Sequence, residues 1–274
     1  MRNIPFIIGG CLFLLFLACS KDDETFDDTL DIIEAQIYNR QKIHNDSIQE
    51  DDSTILVVNY LPDSLRMNIN ARCTQDYPLF VAHAGGRLFG PPNSIPAFIG
   101  SGMIGMWGCE TDVRITSDRV LVCYHDKTLE EGTNGTGTLE EHTYEQIRQC
   151  HIRDYSNSRT HYDYSKFSQQ DLRIPNIREF LDICIQYKMV PIMHIKTWAV
   201  IDSLANIIKQ YDLEGKCIIA STIPDHFRLL RKIGCKERAH LFWGHSSNID
   251  ELLTYGNVSI SIVLPNPRPV SLCC

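Results

Sequence analysis

The sequence lacks a long hydrophobic run anywhere after its first twenty residues. No later stretch approaches the roughly 20 apolar residues that a membrane-crossing helix needs. It also lacks a basic excess, with 26 Lys and Arg against 34 Asp and Glu. That excludes the electrostatic footprint of a nucleic-acid-binding surface. The 11 cysteines include no Cys-x-x-Cys pair, which excludes a zinc ribbon or a dithiol redox motif. No Gly-x-Gly-x-x-Gly turn follows the first strand-like run, so the dinucleotide-binding version of an open sheet has no support. What is present, 43% hydrophobic and 22% charged residues over 274 positions, suits a globular protein with a substantial core.

The charge is concentrated. Residues 20–52 hold eleven acidic and three basic side chains, which accounts for the formal net charge of -8, and the remainder is nearly neutral. Ahead of this tether, Arg2 precedes an apolar run from Ile4 to Ala18. A basic residue, a short apolar segment and a small residue before a cut site describe a secretory signal over residues 1–19. Phe16-Leu17-Ala18-Cys19 resembles a bacterial lipobox, in which Cys19 carries lipid and becomes the new N-terminus. An ordinary cleaved signal is the alternative. Lys21-Asp22-Asp23-Glu24 resembles a lipoprotein surface-export signal, though an acidic run serves equally as a solvated tether. The expected address is the bacterial cell envelope, with the membrane as partner through the N-terminal lipid. Residues 53–78 form an N-terminal extension in which Ile55–Val58 reads as a short strand.

From Leu79 onward, short apolar runs alternate with helical periods. Leu79–Ala82, Glu110–Ile115, Val120–Tyr124, Val190–Ile195, Cys217–Ala220, Leu241–Trp243 and Val258–Leu264 read as seven strands. A helix capped by Asn93 with Pro96 in its first turn follows the first strand. Ile177, Phe180, Leu181, Cys184 and Ile185 repeat at helical spacing, and further helices are expected near 201–211, 224–233 and 249–255. Cys109, Cys123, Cys184 and Cys217 fall inside apolar patterns as core residues, with at most one disulfide expected. This rhythm predicts parallel β/α units and a (β/α)8 barrel over 79–274, incomplete at its C-terminus unless the Ile55–Val58 segment or a partner chain fills the gap.

In such a barrel the chemistry sits at the C-terminal ends of strands. His83 ends the first strand, Glu110 and Asp112 share one face of the second, His125-Asp126 follow the third, and His194 and Lys196 share a face of the fourth. Two adjacent carboxylates with no intervening cation repel unless a metal joins them, and hard oxygen ligands suit Ca²⁺ or Mg²⁺. Paired imidazoles suit proton transfer in both directions near neutral pH, and a lysine suits a phosphate.

His83-Ala84-Gly85-Gly86, Pro92-Asn93-Ser94, Glu110-Thr111-Asp112-Val113, Thr116-Ser117-Asp118, His125-Asp126 and Thr133-Asn134-Gly135-Thr136-Gly137 together resemble the motifs of the glycerophosphodiester phosphodiesterases. Ile174-Pro175-Asn176 with Glu179, and Ile192–Lys196, resemble that family's later segments. The resemblance implies a TIM barrel that hydrolyses glycerophosphodiesters to glycerol 3-phosphate and an alcohol with a divalent cation. It implies His83 and His125 as the acid/base pair, Glu110 and Asp112 as metal ligands, and Lys196 on the phosphate.

Three positions depart from the pattern. The family Arg after the first His is Ala84, leaving Arg87 or Arg114 to compensate, and the Glu of its Pro-Glu-Asn-Thr motif is Pro92. His194 replaces a Glu that would be a third metal ligand, which tilts the cation toward Mn²⁺ or Zn²⁺ and predicts weaker binding below about pH 6.5. The rival expectations are a phosphodiester-binding lipoprotein without turnover, and a transition-metal hydrolase built on His83, His125, His194 and Asp112. A glycosidase using Glu110 and Asp112 would leave the flanking His and Lys without a task.

Overall fold

The computed structural model describes residues 61–71, 79–153, 164–244, 254–255 and 258–262. The signal, the tether, the Ile55–Val58 strand and most of the helix expected near 249–255 lie outside these residues. Among the described residues, no helix is long and apolar enough to cross a membrane.

Seven strands form one sheet: β1 (Val81–Ala82), β2 (Gly108–Ile115), β3 (Leu121–Cys123), β4 (Val190–Ile195), β5 (Ile218–Ser221), β6 (Arg238–Gly244) and β7 (Val258–Ile262). The order β1-β2-β4-β5-β6-β7 is parallel throughout. Between and after these strands run α1 (Ile95–Met103), α2 (Tyr144–Ile147), α3 (Ile177–Gln186), α4 (Ile201–Gln210) and α5 (Pro224–Lys232). Among the described residues this is the (β/α)8 plan with six parallel strands in place.

Two expectations are corrected. The third strand is not a rung of the parallel barrel: β3 is antiparallel to β2, pairing Val113 with Cys123 and Ile115 with Leu121. A five-residue connection is too short for a crossover, so the chain can only fold back as a hairpin. The cap of α1 is Ser94, whose hydroxyl accepts from Ala97 N at 3.4 Å. Asn93 stands one residue too early and is in the left-handed region at φ 57°.

Helix α3 starts as its sequence dictates. Asn176 caps it by accepting from the Arg178 and Glu179 amides, and the Glu179 carboxylate reaches back to the Asn176 amide at 3.0 Å. Its apolar stripe, with those of α1, α4 and α5, covers the outer face of the sheet. There Phe98 of α1 packs edge-on to Phe180 of α3 at 4.9 Å. All eight residues of β2 are buried, as a strand covered on both faces must be. The six cysteines among the described residues are free, and five of them are buried.

The inner face carries a second core of Val81, Ile192, Ile218, Ala220 and Phe242. Residues 61–71 close it from the end where the strands begin. Leu61 and Ile69 pack into it, the Trp107 indole donates to Leu65 O at 3.0 Å, and Arg238 donates to Ile69 O. This part of the extension is therefore a plug under the sheet. Trp107 is 1% exposed, so Trp107→Ala is expected to lower stability by about 3–5 kcal/mol, read from urea unfolding.

Candidate active site

The site is assembled by strand register. Pairing of β2 with β4 sets Asp112 beside His194 and Glu110 beside Ile192. Alternation along β2 turns Glu110 and Asp112 to the same face. His194 Nδ1 then lies 3.1 Å from Asp112 Oδ1 and 3.6 Å from Glu110 Oε1. One ligand atom from each of Glu110, Asp112 and His194 falls within 4.8 Å of the others, and all three residues are buried.

The remaining carboxylate oxygens are already held. Glu110 Oε2 accepts from the Ala84 amide at 2.7 Å. Asp112 Oδ2 accepts from Asn93 Nδ2 at 2.9 Å, while Asn93 Oδ1 accepts from Thr111 Oγ1 and the Asp112 amide. Asn93 thus spends both ends of its amide on β2. The chain reaches these positions through the turn His83–Gly86, where Ala84, Gly85 and Gly86 have φ of 48°, 84° and 97°. A Cβ at Gly85 would sit 2.7 Å from the Phe98 ring, so glycine is required there on both conformational and steric grounds.

Glu110 Oε1 is buried and has no hydrogen-bond partner. An ionised oxygen in that state is costly unless a cation meets it. Two carboxylate oxygens and one imidazole nitrogen are a chemically sound donor set for a divalent cation, so the residues fit the group that the family resemblance implies.

The electrostatics agree. Burial opposes ionisation of Asp112, but the His194 hydrogen bond, the Lys196 charge 3.4 Å away and the nearby His125 outweigh it and hold the acid well below the usual carboxylate range. Burial also opposes protonation of His194, yet its contact with Asp112 and the negative charges of Asp112 and Glu110 prevail and raise its pKa. Without a metal, the two acids thus favour a proton on His194.

The other expected residues come to the same region by different routes. His83 opens the turn that leaves β1. His125 arrives through the β2–β3 hairpin: Tyr124 N donates to Asp112 O at 2.9 Å, which places the next residue at the level of the Glu110, Asp112 and His194 cluster. Its Nδ1 is 2.6 Å from Asp126 Oδ1, and its half-exposed ring stands at the rim. Lys196 reaches Asp112 from the end of β4. Arg114 does not replace the family Arg missing at Ala84, because its Nε donates to His125 O and its Nη1 pairs with Glu140. It braces His125 instead.

Several motif residues are architectural. Thr116 Oγ1 bonds Asp118, which accepts from the Tyr144 amide. Thr133, Asn134 and Gly137 close the loop after β3 through Leu129, His151 and Glu130. Glu179 pairs with Arg173 and caps α3.

Two buried imidazoles were missed in the sequence. His240 continues the row Asp112, His194, Ala220, His240 across β2, β4, β5 and β6. Phe242 lies edge-on to both His194 and His240, at 4.9 and 4.8 Å. The period-2 spacing of His240 and Phe242 was the available signal. His226, at the start of α5, has its Nδ1 2.8 Å from Ser221 Oγ. Burial, reinforced by the charge of His194, pushes His226 down to about 4 and His240 down to about 3. Each is neutral when folded and takes up a proton near pH 6.5 when unfolded. The unfolded chain therefore binds more protons below that pH, and the stability these groups contribute is lost on acidification. Going from pH 7 to pH 5 is expected to cost on the order of 2 kcal/mol per imidazole, measured as a drop in the urea midpoint that shrinks in His240→Gln.

The profile of the glycerophosphoryl diester phosphodiesterase family matches residues 83–235, more than half of the chain. Human glycerophosphodiester phosphodiesterase 1 is 28% identical over 155 residues, covering 56% of this chain and 45% of that protein. The glycerophosphodiester phosphodiesterase of Caldanaerobacter subterraneus subsp. tengcongensis is 30% identical over 148 residues, covering 52% and 57%. The chain thus spans about half the length of the curated relatives it matches. Among solved structures, an Oleispira antarctica phosphodiesterase in complex with sn-glycerol-3-phosphate superposes with a TM-score of 0.57 at 19% identity, over 67% of this chain and 74% of that one. A glycerophosphodiester phosphodiesterase from Agrobacterium tumefaciens gives 0.56 at 19%, over 66% and 75%. These likenesses are of fold, and with the profile match they lead to one statement: the chain belongs to the glycerophosphoryl diester phosphodiesterase family.

Proposed function

We propose that the protein hydrolyses glycerophosphodiesters to glycerol 3-phosphate and an alcohol, with a divalent cation held by Glu110, Asp112 and His194. The observation that carries this reading is the unpartnered, buried Glu110 Oε1 facing His194 and Asp112. When bound, the cation supplies Lewis-acid stabilisation of charge on the phosphoryl oxygens. With a cation held by Asp112, the Lys196 ammonium would be available to the phosphate. His83 and His125 share the proton work: one accepts a proton from the attacking oxygen, and the other gives one to the departing alkoxide. Asp126 fixes the His125 ring by taking Nδ1, which leaves Nε2 for the exchange.

The test is release of glycerol 3-phosphate from glycerophosphocholine by metal-stripped protein after addition of Ca²⁺, Mg²⁺, Mn²⁺ or Zn²⁺ in turn. Turnover with at least one cation supports the reading. Ligand binding without turnover under all four favours a pocket that only binds, a reading Ala84 lends weight to because it leaves the phosphate one donor short.

Because His194 must lose its proton to coordinate, binding should release a proton and weaken as pH falls. The raised pKa of His194 puts the onset above pH 6.5. Calorimetric titration in two buffers of different ionisation enthalpy checks the proton count, and affinity should fall by up to about tenfold per pH unit below the onset.

The proposed location is the bacterial envelope, anchored by lipid on Cys19. Palmitate labelling of the full chain, lost in Cys19→Ser, tests it.

A further inference from the structure

Trp198 stands two residues beyond Lys196, in the turn Trp198–Val200 that leaves β4, and is 46% exposed. An open indole at that place has a purpose-built mount. Its ring lies edge-on to His226, with centroids 4.2 Å apart. His226 is buried and held by Ser221, and the Ser221 hydroxyl in turn accepts from Ile223 N at 2.9 Å. The Ser221 hydroxyl, anchored by the Ile223 amide and bonded to His226 Nδ1, fixes the imidazole, and the indole packs edge-on to it. Two buried polar side chains, Ser221 and His226, thus hold an exposed apolar ring two residues from the proposed phosphate lysine.

From Trp198 a cavity of about 250 Å³ continues along α5, lined by Asp225, Arg228, Leu229 and Lys232. The lining is mostly apolar, which fits the indole, Leu229 and the stems of the two basic residues. Its charge argues against a quaternary ammonium on the Trp198 face. Arg228 and Lys232 outnumber Asp225, and Asp225 is paired with Arg228 at 2.9 Å. Asp225 to Lys232 is about 10 Å of helix, the length of an alkyl chain of roughly eight carbons.

We propose that this groove takes one alkyl or acyl chain carried by the phosphodiester, so that the site prefers single-chain amphiphiles to fully water-soluble diesters. The inference rests on the phosphodiesterase reading for its substrate and on the groove for its selectivity. The experiment separates the two. With the full chain, kcat/KM is compared for glycerophosphocholine and for lysophosphatidylcholines of increasing chain length, all below their micelle concentrations. In parallel, binding of butyl-, octyl- and dodecylphosphocholine monomers is measured by calorimetry without metal. The expected result is a rise of roughly twofold per methylene up to about eight carbons, then a plateau, in both series. Trp198→Ser should flatten both slopes, and Trp198→Phe should restore most of them. A binding slope without any turnover keeps the groove and rejects the phosphodiesterase reading. Turnover of glycerophosphocholine with no chain-length slope in either series overturns the groove. So does a slope seen only with micelles or vesicles, which would make the face a membrane contact.

Discussion

His194→Glu is expected to exchange the cation that the site prefers. In the present sequence two carboxylate oxygens and one imidazole nitrogen converge within 4.8 Å. Neutral imidazole gives the set a net charge of -2 and one borderline ligand, which favours Mn²⁺ or Zn²⁺ over Ca²⁺. A glutamate there raises the set to three carboxylates and removes the nitrogen. Ca²⁺ and Mg²⁺ should then bind on the order of 10- to 100-fold more tightly, and Zn²⁺ should lose ground. The same change removes the imidazole whose protonation the two acids favour. In the metal-free protein three carboxylates would face Lys196 alone, so the variant should be less stable than wild type in EDTA and recover on adding Ca²⁺. Competition calorimetry across the four cations, with thermal melts in EDTA and in Ca²⁺, reads both effects. Unchanged preference would mean that His194 does not ligate and that its contact with Asp112 is structural. Asp112→Asn is the companion: it keeps the Asn93 contacts and should lower metal occupancy outright.

The site was more legible in the sequence than the path of the chain. Glu110 and Asp112 share a face by strand alternation alone, and their pairing with His194 follows once β2 and β4 are neighbours. Neither the hairpin at β3 nor the true partner of β2 could be read from apolar runs, because periodicity marks a strand without giving its direction. Asn93 was mistaken for a cap for a related reason. Asn and Ser are both good caps, and only the left-handed backbone at Asn93 sends its amide to Asp112 instead. The plug at 61–71 left no signal because its few apolar residues lack a period. His226 and His240 stayed hidden because a buried neutral imidazole replaces an apolar residue without disturbing the pattern around it.

His125→Ala and His83→Ala should each lower kcat by about 10²- to 10⁴-fold on glycerophosphocholine while leaving metal content unchanged. Neither residue belongs to the Glu110, Asp112 and His194 cluster, so loss of an imidazole should not loosen the cation. The two variants should part company on a diester with a 4-nitrophenol leaving group. That group departs without a proton, so the variant lacking the general acid should regain most of its rate and the variant lacking the base should not. The structure bears on which is which through the surroundings of His125. Asp126 at 2.6 Å holds its Nδ1, Arg114 holds its carbonyl, and its ring is half-exposed to solvent, as a donor to a departing alcohol should be. Those features fit the acid, and rescue of His125→Ala but not His83→Ala is the expected outcome. Rescue of His83→Ala alone would reverse the roles. Rescue of neither, or full activity in either variant on glycerophosphocholine, would remove that histidine from the proton path. Arg114→Met should act on the same step at one remove, because freeing the His125 carbonyl loosens the ring without touching a proton. Its kcat should fall by about tenfold with the metal affinity intact, and its loss should vanish in the His125→Ala background.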